Sequence, residues 1–204
     1  MEANPKTLPT QTVYKLMSGS ILPRPIGWIS TIDSQGNNNL APFSFFNAVC
    51  PEPPHLLFCT SYREGGSPKD TLANVRESGE FVVNIVTEAL GEAMNITATD
   101  FLSSVDEFEA AGLTMMPAVA VRPARVAASP IHFECKVAQI IELGGETGGG
   151  AVVIGEIVHI HVDEAVLFDG DKIDLDKLQP VGRLSGNSYC RVTDIYEMIR
   201  PKLA

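Results

Sequence analysis

The chain is poor in basic residues, cysteine, histidine and tryptophan, and each shortage removes a class of function. Fifteen Lys and Arg stand against 25 Asp and Glu, a formal net charge of −10. Nucleic-acid binding rests on clustered cations meeting phosphates, so neither DNA nor RNA is an expected partner. A small phosphorylated ligand is still allowed, because a few backbone amides, hydroxyls and one or two cations suffice for it. The four cysteines, Cys50, Cys59, Cys135 and Cys190, form no C-x-x-C pair and match no zinc spacing. They are expected to be reduced thiols in a cytoplasmic protein. No apolar run approaches the roughly 18 residues of a membrane span. The opening MEANPKTLPTQ has no basic region followed by an apolar stretch, so neither membrane insertion nor export is expected.

What the sequence does contain is a set of strands. Ile26 to Ile32 is a short apolar strand, followed by the turn Asp33-Ser34-Gln35-Gly36-Asn37-Asn38 and a returning strand from Leu40 to Val49. Leu56 to Thr60 and Phe81 to Val86 read as buried strands. In HFECKVAQIIEL, Phe133, Cys135, Val137, Ile141 and Leu143 share a face. In AVVIGEIVHIHVD, Val152, Ile154, Val158, Ile160 and Val162 share one, leaving Gly155, Ile157, His159 and His161 on the other. GGETGGG between them is the flexible tip of a long hairpin. Helices are expected over Asp70 to Ser78, capped by Asp70 and ended by Gly79, and over Thr87 to Thr97. Asp106 to Ala111, behind the loose capping box Ser103-x-x-Asp106, and the tail from Thr193 to Arg200 complete the set. The pattern is mainly β with a few peripheral helices: one domain over 1–204, with a core of about 20–190 and a tail of 191–204.

Three clusters could carry chemistry. In NLAPFSFFNAVCPEPP, Ser44 and Asn47 sit among Phe43, Phe45 and Phe46. Strand alternation puts Phe43, Phe45 and Asn47 on one side, Ser44 and Phe46 on the other. The run is either ordinary core before a turn or an aromatic slot with polar edges for a flat ligand. Next, Thr60-Ser61-Tyr62-Arg63 leads through Gly65-Gly66 to Lys69-Asp70-Thr71 at a helix start. Hydroxyls, a lysine and the unpaired first amides of a helix can cradle a phosphate; a capped helix beside a solvated lysine is the plainer reading. Arg24, stiffened between Pro23 and Pro25, could reach a phosphate or a carbonyl, or simply lie in an entry loop. His159, His161 and Asp163 could bind a metal, but a polar strand on the barrel exterior or at a subunit interface is the better reading, and no metal is expected.

RPIGWISTIDSQGNNNLAPFSFFNAVCPEPP, LLFCTSYREGGSPKDTLANVRESGEFVVNIV, EFEAAGLT and GRLSGNSYCR, in that order and spacing, resemble the flavin reductase-like family of FMN-binding split β-barrels, from about Arg24 to Tyr189. The resemblance implies a homodimeric split barrel with a Greek-key-like core that binds FMN near the subunit interface. It puts the flavin ring against Ala41, Pro42, Phe43, Ser44, Phe45, Phe46 and Asn47. It puts the ribityl and phosphate near Thr60, Ser61, Lys69, Asp70 and Thr71. It also implies a role for Arg24, and a structural or flavin-adjacent place for Asn84. No catalytic side chain is expected, since the flavin carries the redox chemistry.

One departure bears on the electron donor. Reductases of this family that use NADH or NADPH often carry Gly-Asp-His on a late strand, and here the nearest match is Gly155-Glu156-Ile157. The chain is also similar to the flavoredoxin-like branch. The expected activity is therefore NAD(P)H-dependent flavin reduction or electron transfer to a small acceptor. The alternative is an FMN-holding electron carrier that serves a protein partner without a nicotinamide site.

Overall fold

The structure is a computed structural model that describes residues 1–144 and 148–202. After the helix Thr10–Ser20 (α1) come four strands, Gly27–Ile32 (β1), Asn38–Phe43 (β2), Phe46–Pro51 (β3) and Pro54–Ser61 (β4). Asp70–Ser78 (α2) leads into Glu80–Ile85 (β5), then Gly91–Ile96 (α3) and Glu107–Ala110 (α4). The two-residue strands Met115–Met116 (β6) and Arg125–Val126 (β7) precede the long hairpin Ile131–Leu143 (β8) and Gly150–Val162 (β9). The pair Leu167–Phe168 (β10) and Lys172–Ile173 (β11), the turn Leu175–Leu178 (α5), and the pair Val181–Arg183 (β12) and Tyr189–Arg191 (β13) close the chain.

Seven strands form one antiparallel sheet in the order β2-β1-β5-β8-β9-β4-β3, a Greek-key-like arrangement in which later strands insert between earlier hairpins. Its outermost strands, β2 and β3, are joined through the two residues Ser44 and Phe45, so the sheet must curl round on itself. Across the resulting interior Phe43 meets Phe58 at 5.2 Å between ring centroids, and Phe58 meets Phe81 at the same separation. This is the expected split barrel.

Inside lie Ile29, Phe43, Leu56, Phe58, Phe81, Val83, Cys135 and Val153, joined by Leu72 and Val75 of α2. Two buried side-chain bonds fix that helix to the sheet: Asn39 Nδ2 donates to Thr71 Oγ1 at 2.9 Å, and Asn74 Nδ2 donates to Thr31 Oγ1 at 3.0 Å. A second core, with Trp28, Leu40, Val86, Met94 and Phe108, lies on the other face of the sheet under α3 and α4. Asn84 belongs to this outer layer. It donates to Trp28 O at 2.9 Å and accepts from Val126 N at 2.8 Å, which makes it structural.

The long hairpin corrects the face assignment made from alternation. The register slips between Val137 and Gln139 on β8, and between Ile157 and His159 on β9. Each bulge adds one residue and inverts the side-chain phase beyond it. Ile140 therefore packs on the inner core while Ile141 and Leu143 are exposed. On β9 the inward residues are Ala151, Val153 and Ile157, not the Val152 and Ile154 set. Gly155 sits directly under Phe81, whose Cζ would lie 2.4 Å from an added Cβ. The hairpin tip at 145–147 lies outside the described residues.

Other expectations also shift. The returning strand from Leu40 to Val49 is two strands broken at Ser44-Phe45. Thr87 to Thr97 is a 3-10 turn, Glu88–Leu90, running into α3. Asp106 does cap α4, accepting from Phe108 N at 2.8 Å, but Ser103 donates to Asp70 at 2.7 Å instead of completing a capping box. The tail from Thr193 to Arg200 has no helix, and Ile195, Met198 and Ile199 are exposed. An isolated segment of that length cannot offset the cost of helix nucleation without a packed face.

Past the bulge His159 and His161 join Glu134 and His132; the His159 and His161 rings lie 4.5 Å apart, tilted by 54°. Buried Glu134 accepts from Val119 N at 2.8 Å, Ala120 N at 2.6 Å and His161 Nε2 at 2.5 Å, which pins the 119–120 segment to the sheet. Burial pushes its carboxyl pKa up, but these bonds outweigh burial and leave it lowered. His132 Nε2 meets Val126 O at 2.9 Å while its buried Nδ1 has no partner, and burial depresses its pKa to about 4. A histidine kept neutral in the fold binds its proton more readily when unfolded, so its stabilisation holds above 6.5 and is lost as pH falls towards 4. A depressed carboxylate acts in the same direction at lower pH; Glu107, whose pKa burial raises, acts oppositely. The melting temperature is expected to fall between pH 6.5 and 4, and His132→Gln to flatten that slope. Parallel melting curves for the two proteins would disprove this account.

Candidate functional site

The bend at Ser44-Phe45 does more than close the sheet. It interrupts alternation, so Pro42, Phe43, Ser44 and Phe45 all line one groove of about 550 Å³. Across from them stand Cys59, Thr60 and Ser61 from the end of β4, with Lys69 at the head of α2. A bond from Cys59 N to Phe45 O at 2.7 Å ties the two walls together. Gly150 to Val152 of β9 form the floor, and Tyr14 and Met17 of α1 form a third wall. The groove is thus apolar along its length and polar at the Thr60-Ser61-Lys69 end.

That end suits an anion. Lys69, not Asp70, is the N-cap of α2, and no side chain caps the helix, so its first amides and its dipole remain available. Among the described residues no carboxylate lies within ion-pair distance of Lys69. Asp70 is instead held by Arg63 at 2.8 Å and by Ser103. Burial pushes the Asp70 carboxyl pKa up, but these two partners outweigh it and leave it lowered. Asp70 therefore orders Arg63 beside the cradle and has no donor to offer an anion. A smaller cavity of about 90 Å³ adjoins the groove at Lys69 and is lined by Ala41, Arg63, Asp70, Thr71 and Glu107.

The structure brings together most of the residues singled out from sequence and places three elsewhere. Phe46 packs over Gly27, and Asn47 is exposed, with its side-chain oxygen accepting from Ala48 N. Both follow the bend, which rotates them away from the groove. Arg24 is buried under α1 with its guanidinium engaged by backbone. Nη1 donates to Ser18 O at 2.6 Å and Ile21 O at 2.8 Å, and Nη2 donates to Leu184 O at 2.8 Å. Nε approaches Ser44 Oγ at 3.4 Å. Arg24 thus joins three segments and positions Ser44 without lining the groove. The alternation expected for residues 43–47 fails because a strand's period does not survive a bend.

Sequence reasoning missed Tyr14, Met17 and the place of Cys59 in this wall, and it gave Arg63, part of the Thr60-Ser61-Tyr62-Arg63 run, no role of its own. Val13, Leu16, Met17 and Ser20 do recur at helical spacing, but α1 buries only Ser18. The signal was therefore an amphipathic face with no core partner. Burial raises the Cys59 thiol pKa, so the groove wall there is a neutral, apolar thiol.

The curled sheet is a split barrel, and its groove is apolar along its length and cationic at one end. The chain belongs to the family of the flavin reductase like domain, which it matches over residues 17–174. It is 40% identical to a protein of Aquifex aeolicus over 191 residues, 94% of this chain and 95% of the relative. It is 39% identical to one of Halalkalibacterium halodurans over 206 residues, covering 100% of this chain and 98% of the relative. Among solved structures it is similar to nitrilotriacetate monooxygenase component B from Bacillus cereus, with a TM-score of 0.92, 33% identity and coverage of 97% and 98% of the two chains. It is also similar to the Pseudomonas fluorescens 2-nitrobenzoate 2-nitroreductase, with a TM-score of 0.87, 33% identity and coverage of 98% and 96%.

Proposed function

We propose that this single-domain chain binds FMN in the groove between Pro42–Phe45 and Thr60–Lys69 and works as an NAD(P)H-dependent flavin oxidoreductase that passes electrons to a small acceptor. The observation that carries the reading is the juxtaposition of a flat apolar wall with a polar end built from Thr60, Ser61, Lys69 and an uncapped helix start. The isoalloxazine ring would lie along Pro42, Phe43 and Phe45, with Ser44 at its edge. The phosphate would meet Ser61, Lys69 and the first amides of α2, while buried Thr60 and Thr71 hold that corner in shape. When bound, the flavin supplies reversible two-electron chemistry; the chain's own residues bind it, orient it and leave one side open.

Glu156 favours a second reading. It is exposed on β9, opposite His55 and Lys136, and is not part of the groove, so Gly155-Glu156-Ile157 does not present an acid there. A protein holding FMN for a protein partner needs no such acid.

A homodimer is part of the proposal: the long hairpin leaves the apolar side chains Val158 and Ile160 exposed near its open end and Ile141 nearer its tip. The purified protein is expected to be yellow or to take up added FMN, and to scatter light as twice 21.9 kDa. NADH or NADPH should bleach the flavin without oxygen. A flavin bleached by dithionite but by neither nicotinamide would move the conclusion to the electron carrier, and a chain that ignores FMN would sink both.

A further inference from the structure

A second cavity, of about 190 Å³, shares Tyr14, Pro42 and Ser44 with the groove and extends it away from Lys69. Its far side is Arg183 and Tyr189. The Arg183 guanidinium stacks on the Tyr189 ring at 4.5 Å from the centroid, donates to the Tyr189 hydroxyl, and donates to Gly186 O at 2.5 Å. Its backbone is fixed as well: Arg183 N donates to Arg24 O at 2.9 Å and Arg24 N donates to Arg183 O at 3.0 Å. Two neighbouring arginines thus divide their work. Arg24 faces inward onto carbonyls, and Arg183 faces the cavity.

What sets Arg183 apart is where its charge lies. In a chain with a net charge of −10, Arg63, Arg76, Arg122 and Arg191 have carboxylate partners, whereas among the described residues Arg24, Arg125, Arg183 and Arg200 have none within ion-pair distance. Of these four, Arg183 is the one that lines this cavity. It is a guanidinium held rigid by an aromatic ring and a carbonyl, lining a cavity, with its charge uncompensated. Such a group is already ordered for an anion, because little side-chain entropy remains to be lost on binding. The walls beside it, Tyr14, Tyr189 and Pro42, are flat, which favours a planar ligand.

We propose that Arg183, on its Tyr189 support, is an anion subsite next to the flavin groove, and that it selects a planar second substrate carrying a carboxylate or phosphate group. The role as second-substrate selector rests on the flavin reading above; the anion site itself does not. A nicotinamide dinucleotide, through its pyrophosphate, and a small aromatic carboxylate both offer this chemistry.

Calorimetric titration of FMN-loaded protein with benzoate and with NAD⁺ tests the subsite, using benzamide and nicotinamide as neutral counterparts. At least one of the two anions is expected to bind the wild type and to bind Arg183→Gln about tenfold or more weakly, the loss of one charged hydrogen-bonding partner. Arg183→Lys should restore part of that difference, neutral ligands should be unaffected, and FMN affinity should match wild type, which also reports that the variants fold. Loss for benzoate alone assigns the site to an acceptor carboxylate, and loss for NAD⁺ alone to the dinucleotide. Unchanged binding of both anions, or equal loss for the neutral compounds, overturns the proposal. If wild type takes up no FMN, the flavin reading falls, and the same titrations on the bare chain still decide whether Arg183 binds anions.

Discussion

Arg24→Ala is expected to lower the melting temperature by about 6–12 °C, taking a loss of about 3 kcal/mol at 2–4 °C per kcal/mol for a chain of this size. The guanidinium is buried and satisfies the carbonyls of Ser18, Ile21 and Leu184. Leaving a buried acceptor without a partner costs about 1–3 kcal/mol, and water entering beneath α1 recovers part of the sum over three. Flavin retention should fall in the same variant, because Ser44 loses its Nε neighbour and the α1 wall loses its anchor. Arg24→Lys should be intermediate: an ammonium can serve two of the carbonyls but cannot span all three segments as a planar fork does. A normal melting curve for Arg24→Ala would mean that the clamp contributes nothing to the fold.

Lys69→Ala is expected to weaken FMN binding by about tenfold or more, the contribution of one charge-assisted hydrogen bond to phosphate. Riboflavin has the same ring and ribityl chain but no phosphate, so its affinity should not change. The difference between the two ligands should shrink with added salt, since the groove is open to solvent at this end. Quenching of free flavin fluorescence measures both affinities. Equal losses for FMN and riboflavin would place Lys69 against the ring or the ribityl chain, and no loss for either would remove the phosphate from this corner.

How far the sequence foretold this arrangement depended on whether a feature is local. Asp70–Ser78 ran to its expected ends because Gly79 stops it in a left-handed conformation, φ 68°, and Leu72 and Val75 mark the buried side. Strands β1, β4 and β5 stood out as apolar runs between turn residues. The long hairpin did not, because one inserted residue inverts every face beyond it and nothing in the local composition announces the insertion at Ala138 or Val158. The site divided in the same way. Hydroxyls and a lysine before a helix are visible in a row of letters. That Arg24 meets three carbonyls, one of them 160 residues away, is not. Nor is the joining of Tyr14 to Ser44 across one groove, since both depend on how the curled sheet brings distant segments together.

The wall formed by α1 has a consequence for how proteins of this shape can diversify. The helix lends the interior one residue, Ser18, and meets the groove through Tyr14 and Met17. Substitutions at those two positions touch neither core, so they fall among surface changes that alter stability by only about 0.5 kcal/mol. If the groove holds the flavin as proposed, lineages can therefore revise which molecules are admitted while the sheet beneath stays as it is, and selection on substrate range and selection on foldedness would act on separate letters of the same gene.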